Sequence, residues 1–127
     1  MQAIVVHAPH DLRVEDIEAP DKAQGRDEVT VRIERGGICG SDLHYYHDGG
    51  FGAVRIKQPM VLGHEVSGTV TSVGMDVKSL KKGDRVAVNP SRPCNDCKFC
   101  LQGDQAHCLD MYFYGSAMRS ASRCSRR

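Results

Sequence analysis

The chain has 127 residues, 40% of them hydrophobic and 26% charged, which sets aside intrinsic disorder and suits one domain with a modest core. No apolar run approaches the ~18 residues of a membrane span. The N-terminus MQAIVVHAPHDLRVED lacks a basic start followed by a long apolar stretch, so no secretory signal is expected and a cytoplasmic location is. Net charge is +1, but four of the 17 Lys and Arg residues fall in the last nine, RSASRCSRR; the body before them holds 13 bases against 16 acids. A mildly acidic body speaks against a nucleic-acid face, and the basic end reads as a solvated tail.

In chain order, Ala3–His7 is a brief apolar run, and Leu12–Glu18 alternates apolar and polar residues as a half-buried strand does. Asp21–Arg26 is a polar turn, and Val29–Ile33 alternates again. Gly36–Gly40 reads as a loop, after which Ser41 with Asp42 caps a short helix reaching His47. Asp48–Gly52 is glycine-rich and expected to be flexible. Val66–Val73 alternates over eight residues. Gly74-Met75-Asp76 and Lys81–Asp84 bracket a connection, and Arg85–Val88 is a last strand stopped by Asn89-Pro90. These elements predict a mainly β fold, a small β-barrel. No repeat is visible. Gly50 and Gly52 start a G-x-G pattern, but Arg55 stands where the third glycine belongs, and no βαβ pattern exists; a Rossmann-type dinucleotide site is excluded.

The segment PCNDCKFCLQGDQAHC carries Cys94, Cys97 and Cys100 at two-residue gaps, with Cys108 beyond. Such gaps let thiolates converge from a tight backbone knuckle, and four of them close the tetrahedral shell of a structural zinc. A disulfide framework is the alternative; a close triplet plus one favours metal. Cys39, His64 and Glu65 form a weaker candidate. A catalytic zinc uses few protein ligands and keeps a position open. By residue type alone the metal reading is the weaker one, since an isolated Cys is usually a small buried hydrophobe and an isolated His a core or surface residue.

Context sharpens them. Gly63-His64-Glu65-Val66-Ser67-Gly68 with Gly74 and Val77 resembles the zinc signature of the medium-chain alcohol dehydrogenase family. Gly37-Ile38-Cys39-Gly40-Ser41-Asp42-Leu43-His44 upstream, the four-cysteine lobe, and Gly83-Asp84-Arg85-Val86 resemble that family in the same order. GGICGSDLHYYHDGGFGAVR and PMVLGHEVSGTV look most like its L-idonate 5-dehydrogenase branch, then its sorbitol dehydrogenases. The resemblance covers residues 1–118 as a GroES-like domain with a zinc lobe at 90–110, and leaves 119–127 as an unmatched basic tail.

The resemblance implies roles. Cys39 and His64 would ligate a catalytic zinc, with Glu65 a ligand or exchangeable neighbour. Ser41 and His44 would relay a proton, and Asp42 would orient His64. Cys94, Cys97, Cys100 and Cys108 would hold the structural zinc. Zn2+ and NAD or NADP are the implied cofactors, and a polyol or sugar acid the implied small-molecule partner. Homo-oligomerisation or docking on a full-length relative is the implied protein contact; neither nucleic acid nor membrane is expected. The family's Rossmann domain is absent from these residues, so NAD(P) would not bind and turnover by this chain alone is not expected. The structural zinc should be tight and the catalytic one weak or missing. The composition of the tail reads as translation out of frame. Tyr45, Tyr46 and Phe51 line a substrate cleft or pack in the core; Arg55 and Lys57 meet a sugar-acid carboxylate or lie solvated. His7, His10 and His47 have no assigned role, His107 is not needed by the lobe, and Cys124 is left over in the tail.

Overall fold

β-Branched residues and short polar turns give ten short strands and one helix longer than a single turn among the described residues. A computed structural model describes residues 1–19 and 25–117. In order the elements are β1 (Gln2–Ala8), β2 (Asp11–Asp16), β3 (Val29–Gly36), α1 (Gly40–Asp48), β4 (Gly50–Phe51), β5 (Val54–Arg55) and β6 (Met60–Val61). Then follow β7 (Val66–Val73), β8 (Arg85–Ala87), β9 (Ser91–Arg92), the single-turn α2 (Lys98–Leu101) and β10 (Tyr112–Phe113). Two three-stranded sheets, β2-β1-β6 and β3-β7-β8, make the barrel-like body; β4-β5 and β9-β10 are small hairpins. Among the described residues every strand pairs antiparallel, so no βαβ unit is present. Nor is any helix among them long and apolar enough to cross a membrane.

The core is small. Ala3, Val5 and Val6 of β1, Val70 of β7 and Tyr45 of α1 supply its buried side chains. Tyr45 is fully buried, which makes it a core residue rather than a cleft wall. Its hydroxyl meets Ser116 Oγ at 2.7 Å and accepts the Ala117 N–H at 2.9 Å. A buried phenol needs such partners, and here they pin the helix to a segment some seventy residues away.

Strand β7 has the expected bounds. β1 is one residue longer at each end, and β8 stops one residue early at Ala87. Alternation overstated β2: it ends at Asp16, and Leu12 and Val14 are 42% and 70% exposed. Pairing to β1, not burial, holds it straight. β3 runs on to Gly36 because the ladder with β7 continues there. The helix begins at Gly40, so Cys39 rather than Ser41 occupies the cap position. The stretch expected to be flexible forms the β4-β5 hairpin, and Arg55 Nη1 donates to the Asp48 carbonyl at 2.8 Å, tying it to the helix end. Part of the Asp21–Arg26 turn and the whole 119–127 tail with Cys124 lie outside the described residues.

Replacing Tyr45 with Phe removes the hydroxyl and leaves the Ala117 N–H without this acceptor. We expect a stability loss of about 1–3 kcal/mol, read from urea unfolding, with little change in the spectrum of the folded state.

Candidate metal centres

The four-cysteine lobe is local. Antiparallel β9-β10 pairing, Arg92 opposite Tyr112 and Ser91 opposite Phe113, closes its base. Cys97 caps α2, and Cys100 lies buried one turn on. The four Sγ atoms lie within 4.8 Å of one another. Cys97 and Cys100 are 3.5 Å apart and Cys94 and Cys100 4.0 Å. These separations are far from a bonded S–S distance of about 2 Å. They bracket the ~3.8 Å edge of a tetrahedron with zinc–sulfur bonds of ~2.3 Å.

Backbone amides point at the sulfurs. Cys94 N–H lies 3.2 Å from Cys108 Sγ, and Cys97 N–H 3.3 Å from Cys94 Sγ. The Cys100 and Leu109 amides hold the Cys97 thiol down to about 6, which favours its thiolate form. Burial, with neighbouring thiols behind it, pushes Cys100 up to about 12. A cation of soft-ligand preference satisfies this set far better than four thiols crowding one another. His107 sits outside the ring of ligands, bonded to Asp104 at 2.9 Å.

The second cluster is assembled from distant segments. Cys39 ends the loop after β3 and caps α1; His64 and Glu65 enter β7. One ligand atom from each lies within 4.8 Å of the others. The β3-β7 ladder delivers them: Gly36 pairs with Val66, and Gly37 N–H donates to the Glu65 carbonyl at 2.7 Å. A Cβ on Gly37 would stand 2.6 Å from the Glu65 carboxylate, so glycine leaves that side chain its place.

Asp42 joins the two halves. One carboxylate oxygen accepts the Cys39 N–H at 2.9 Å. The other faces His64 Nδ1 at 3.5 Å, with both side chains over nine-tenths buried. These two facing atoms have no hydrogen-bond partner among the described residues. Nδ1 faces the carboxylate, which leaves Nε2 on the far side of the ring. A thiol, an imidazole and a carboxylate are a zinc-type donor set with room for a further ligand.

The remaining candidates fall into place. Ser41 is half-buried; His44, three residues on and so on the same helical face, is exposed and 3.2 Å from Asp48. Phe51 packs against His44 and Tyr45. Tyr46 stacks edge-on with His10 and His47, and His7 pairs with Glu15 at 2.6 Å. Sequence reasoning missed Phe113, whose ring meets His64 at 5.3 Å, and Gly115. A Cβ at Gly115 would fall 2.0 Å from the Gly63 carbonyl, and its φ of 67° favours glycine. A glycine between Tyr114 and Ser116 is the one local sign; no spacing connects it to His64.

The chain matches the alcohol dehydrogenase GroES-like domain family over residues 25–124. It is 56% identical over 90 residues to L-idonate 5-dehydrogenase (NAD(P)(+)) of Escherichia coli (strain K12), a stretch that is 71% of this chain and 26% of that protein. It is 50% identical over 101 residues to sorbitol dehydrogenase of Homo sapiens, 80% of this chain and 28% of that one. The crystal structure of the E. coli L-idonate 5-dehydrogenase superposes with a TM-score of 0.79 at 45% identity, covering 93% of this chain and 33% of that one. Galactitol-1-phosphate dehydrogenase from E. coli gives 0.82 at 35% identity, covering 94% and 33%. The chain thus spans about a quarter to a third of the length of these relatives. It belongs to the alcohol dehydrogenase GroES-like domain family, a domain of the zinc medium-chain alcohol dehydrogenases.

Proposed function

We propose that this chain is the zinc-binding catalytic domain of an NAD(P)-dependent dehydrogenase that oxidises a small polyol or sugar acid. The observation that carries the reading is the meeting of Cys39, His64 and Glu65 within 4.8 Å, backed by the buried Asp42–His64 pair. Similarity to L-idonate 5-dehydrogenase and sorbitol dehydrogenase supports the substrate class.

In this reading Cys39 and His64 Nε2 hold the ion, and Glu65 is a third or exchangeable ligand. Zinc bound there supplies Lewis-acid polarisation of a substrate hydroxyl. Asp42 faces His64 Nδ1 and orients the ring. Ser41 receives the hydroxyl proton, and His44 passes it to solvent from the exposed side of α1. NAD(P), the hydride acceptor in this reading, would be held by residues outside these antiparallel strands, and we expect no turnover from the 127 residues taken alone. Cys94, Cys97, Cys100 and Cys108 hold a second, structural zinc.

Cobalt substitution tests the assignment. The chain loaded with Co(II) should show thiolate charge-transfer absorption from both centres. Cys39→Ser should remove only the smaller contribution, and Asp42→Asn should lower affinity at that centre by about 10–100-fold while the lobe keeps its cobalt. An unchanged spectrum and stoichiometry in Cys39→Ser would sink the reading. Joined to the nucleotide-binding portion of L-idonate 5-dehydrogenase, the chain should reduce NAD(P) with a polyol or sugar acid, and Cys39→Ser should abolish that rate.

The lobe has a separate test. Wild-type chain should retain zinc through gel filtration, measured by elemental analysis. Cys100→Ser should lose it, and the thermal transition should then fall as the lobe loses its cross-link.

A further inference from the structure

We propose that Arg35, Arg85 and Ser67 form an oxyanion site that takes a carboxylate or phosphate group. A cleft of about 260 Å³ opens on the β3-β7-β8 sheet, lined by Glu34, Arg35, Ser67, Gly68, Arg85 and Val86. In a regular strand Glu34 and Arg35 would point to opposite faces. β3 shifts register against β7 between Ile33 and Arg35. That bulge lets both neighbours line one cleft, as bulges do where a strand must re-aim a side chain.

The charges leave a surplus of donors. Arg35 lies opposite Ser67, and Arg85 opposite Thr69, so the two guanidiniums approach from the strands on either side of β7. The Glu34 carboxylate is already engaged, by Thr69 Oγ1 at 2.9 Å and Arg32 Nη2 at 3.1 Å. Arg35 gives one nitrogen to the Glu34 carbonyl at 2.8 Å. Arg85 makes no side-chain hydrogen bond or ion pair among the described residues and feels only the charge of Glu34. Two guanidinium forks with N–H groups to spare and a hydroxyl lining the same cleft are the donor types that recognise an oxyanion.

The cleft adjoins the candidate metal centre. Ser67 follows Glu65 by two residues, a displacement of about 7 Å along the strand. The anion is therefore either the charged end of a molecule seated at the centre or a separate ion; the recognition chemistry is the same. The site stands on its own geometry and does not depend on the dehydrogenase reading.

The test is titration of the intact chain with inorganic phosphate and, separately, with gluconate, followed through the arginine Nε–Hε signals by NMR. Both anions should shift the Arg35 and Arg85 signals saturably. Arg85→Gln should weaken binding about tenfold or more, as expected for a lost charge-assisted hydrogen bond. Glu34→Gln should tighten it by removing the one like charge. Arg13→Gln, which removes a guanidinium bonded to Asp11 in the other sheet, should change nothing. Retained zinc and an unaltered amide spectrum show that each variant is folded. Shifts that do not saturate, or equal affinity in wild type, Arg35→Gln and Arg85→Gln, overturn the proposal. Cys39→Ser separates the sources: weaker gluconate with unchanged phosphate identifies the end of a molecule anchored at the centre, and no change in either identifies an independent ion site.

Discussion

The carboxylate of Asp42 is the point on which the candidate centre hangs. Burying a carboxylate costs several kcal/mol unless its oxygens find partners. Here one oxygen takes the Cys39 N–H, and the other faces His64 Nδ1 at 3.5 Å without a hydrogen bond among the described residues. Its place in the first turn of α1 adds the favourable end of the helix dipole. The same contacts that make the charge tolerable fix the backbone of one prospective ligand and the ring of another. A histidine whose Nδ1 faces a carboxylate turns its Nε2 to whatever lies on the other side. Capping the helix and preparing a ligand are one interaction seen from two ends.

That interaction works only if the strands bring the halves together. Cys39 and His64 lie twenty-five residues apart in sequence. The β3-β7 ladder closes the gap, its last pair being Gly36 with Val66 and one further bond from Gly37 to Glu65. Gly37 leaves room for the Glu65 side chain, and backbones approach closely where Gly115 meets Gly63. The segment carrying Gly115 also brings Phe113 to His64 and Ser116 to Tyr45. The chain leaving the four-cysteine lobe therefore closes over the candidate centre, which makes the lobe part of the same architecture.

How far the sequence foretold this depends on the range of each signal. Strand β7 was legible to the residue because its alternation coincides with real burial at Gly68 and Val70. The same alternation misled at β2, where Val14 is exposed and only pairing counts. The cap was assigned to Ser41, a residue type that favours it; Cys39 takes it because Asp42, three positions on, reaches back to its amide. The arginine cleft was invisible, since a bulge is a property of two strands in register and neither strand states it alone. Arg55, read as a sugar-acid contact or a solvated charge, is exposed and donates to the Asp48 carbonyl at the end of α1.

The two metal-type clusters differ in the same respect, and the difference bears on how each behaves. The thiols of the lobe come from one contiguous stretch, so closing the loop between them costs little chain entropy. Its amides and hairpin base are also local, and a cation can organise it with little help from the body. The Cys39–His64–Glu65 cluster exists only when β3 and β7 are paired in register and Asp42 is buried between them. Binding there is coupled to the fold as a whole, so anything that loosens the β3-β7 ladder weakens the centre while leaving the lobe intact.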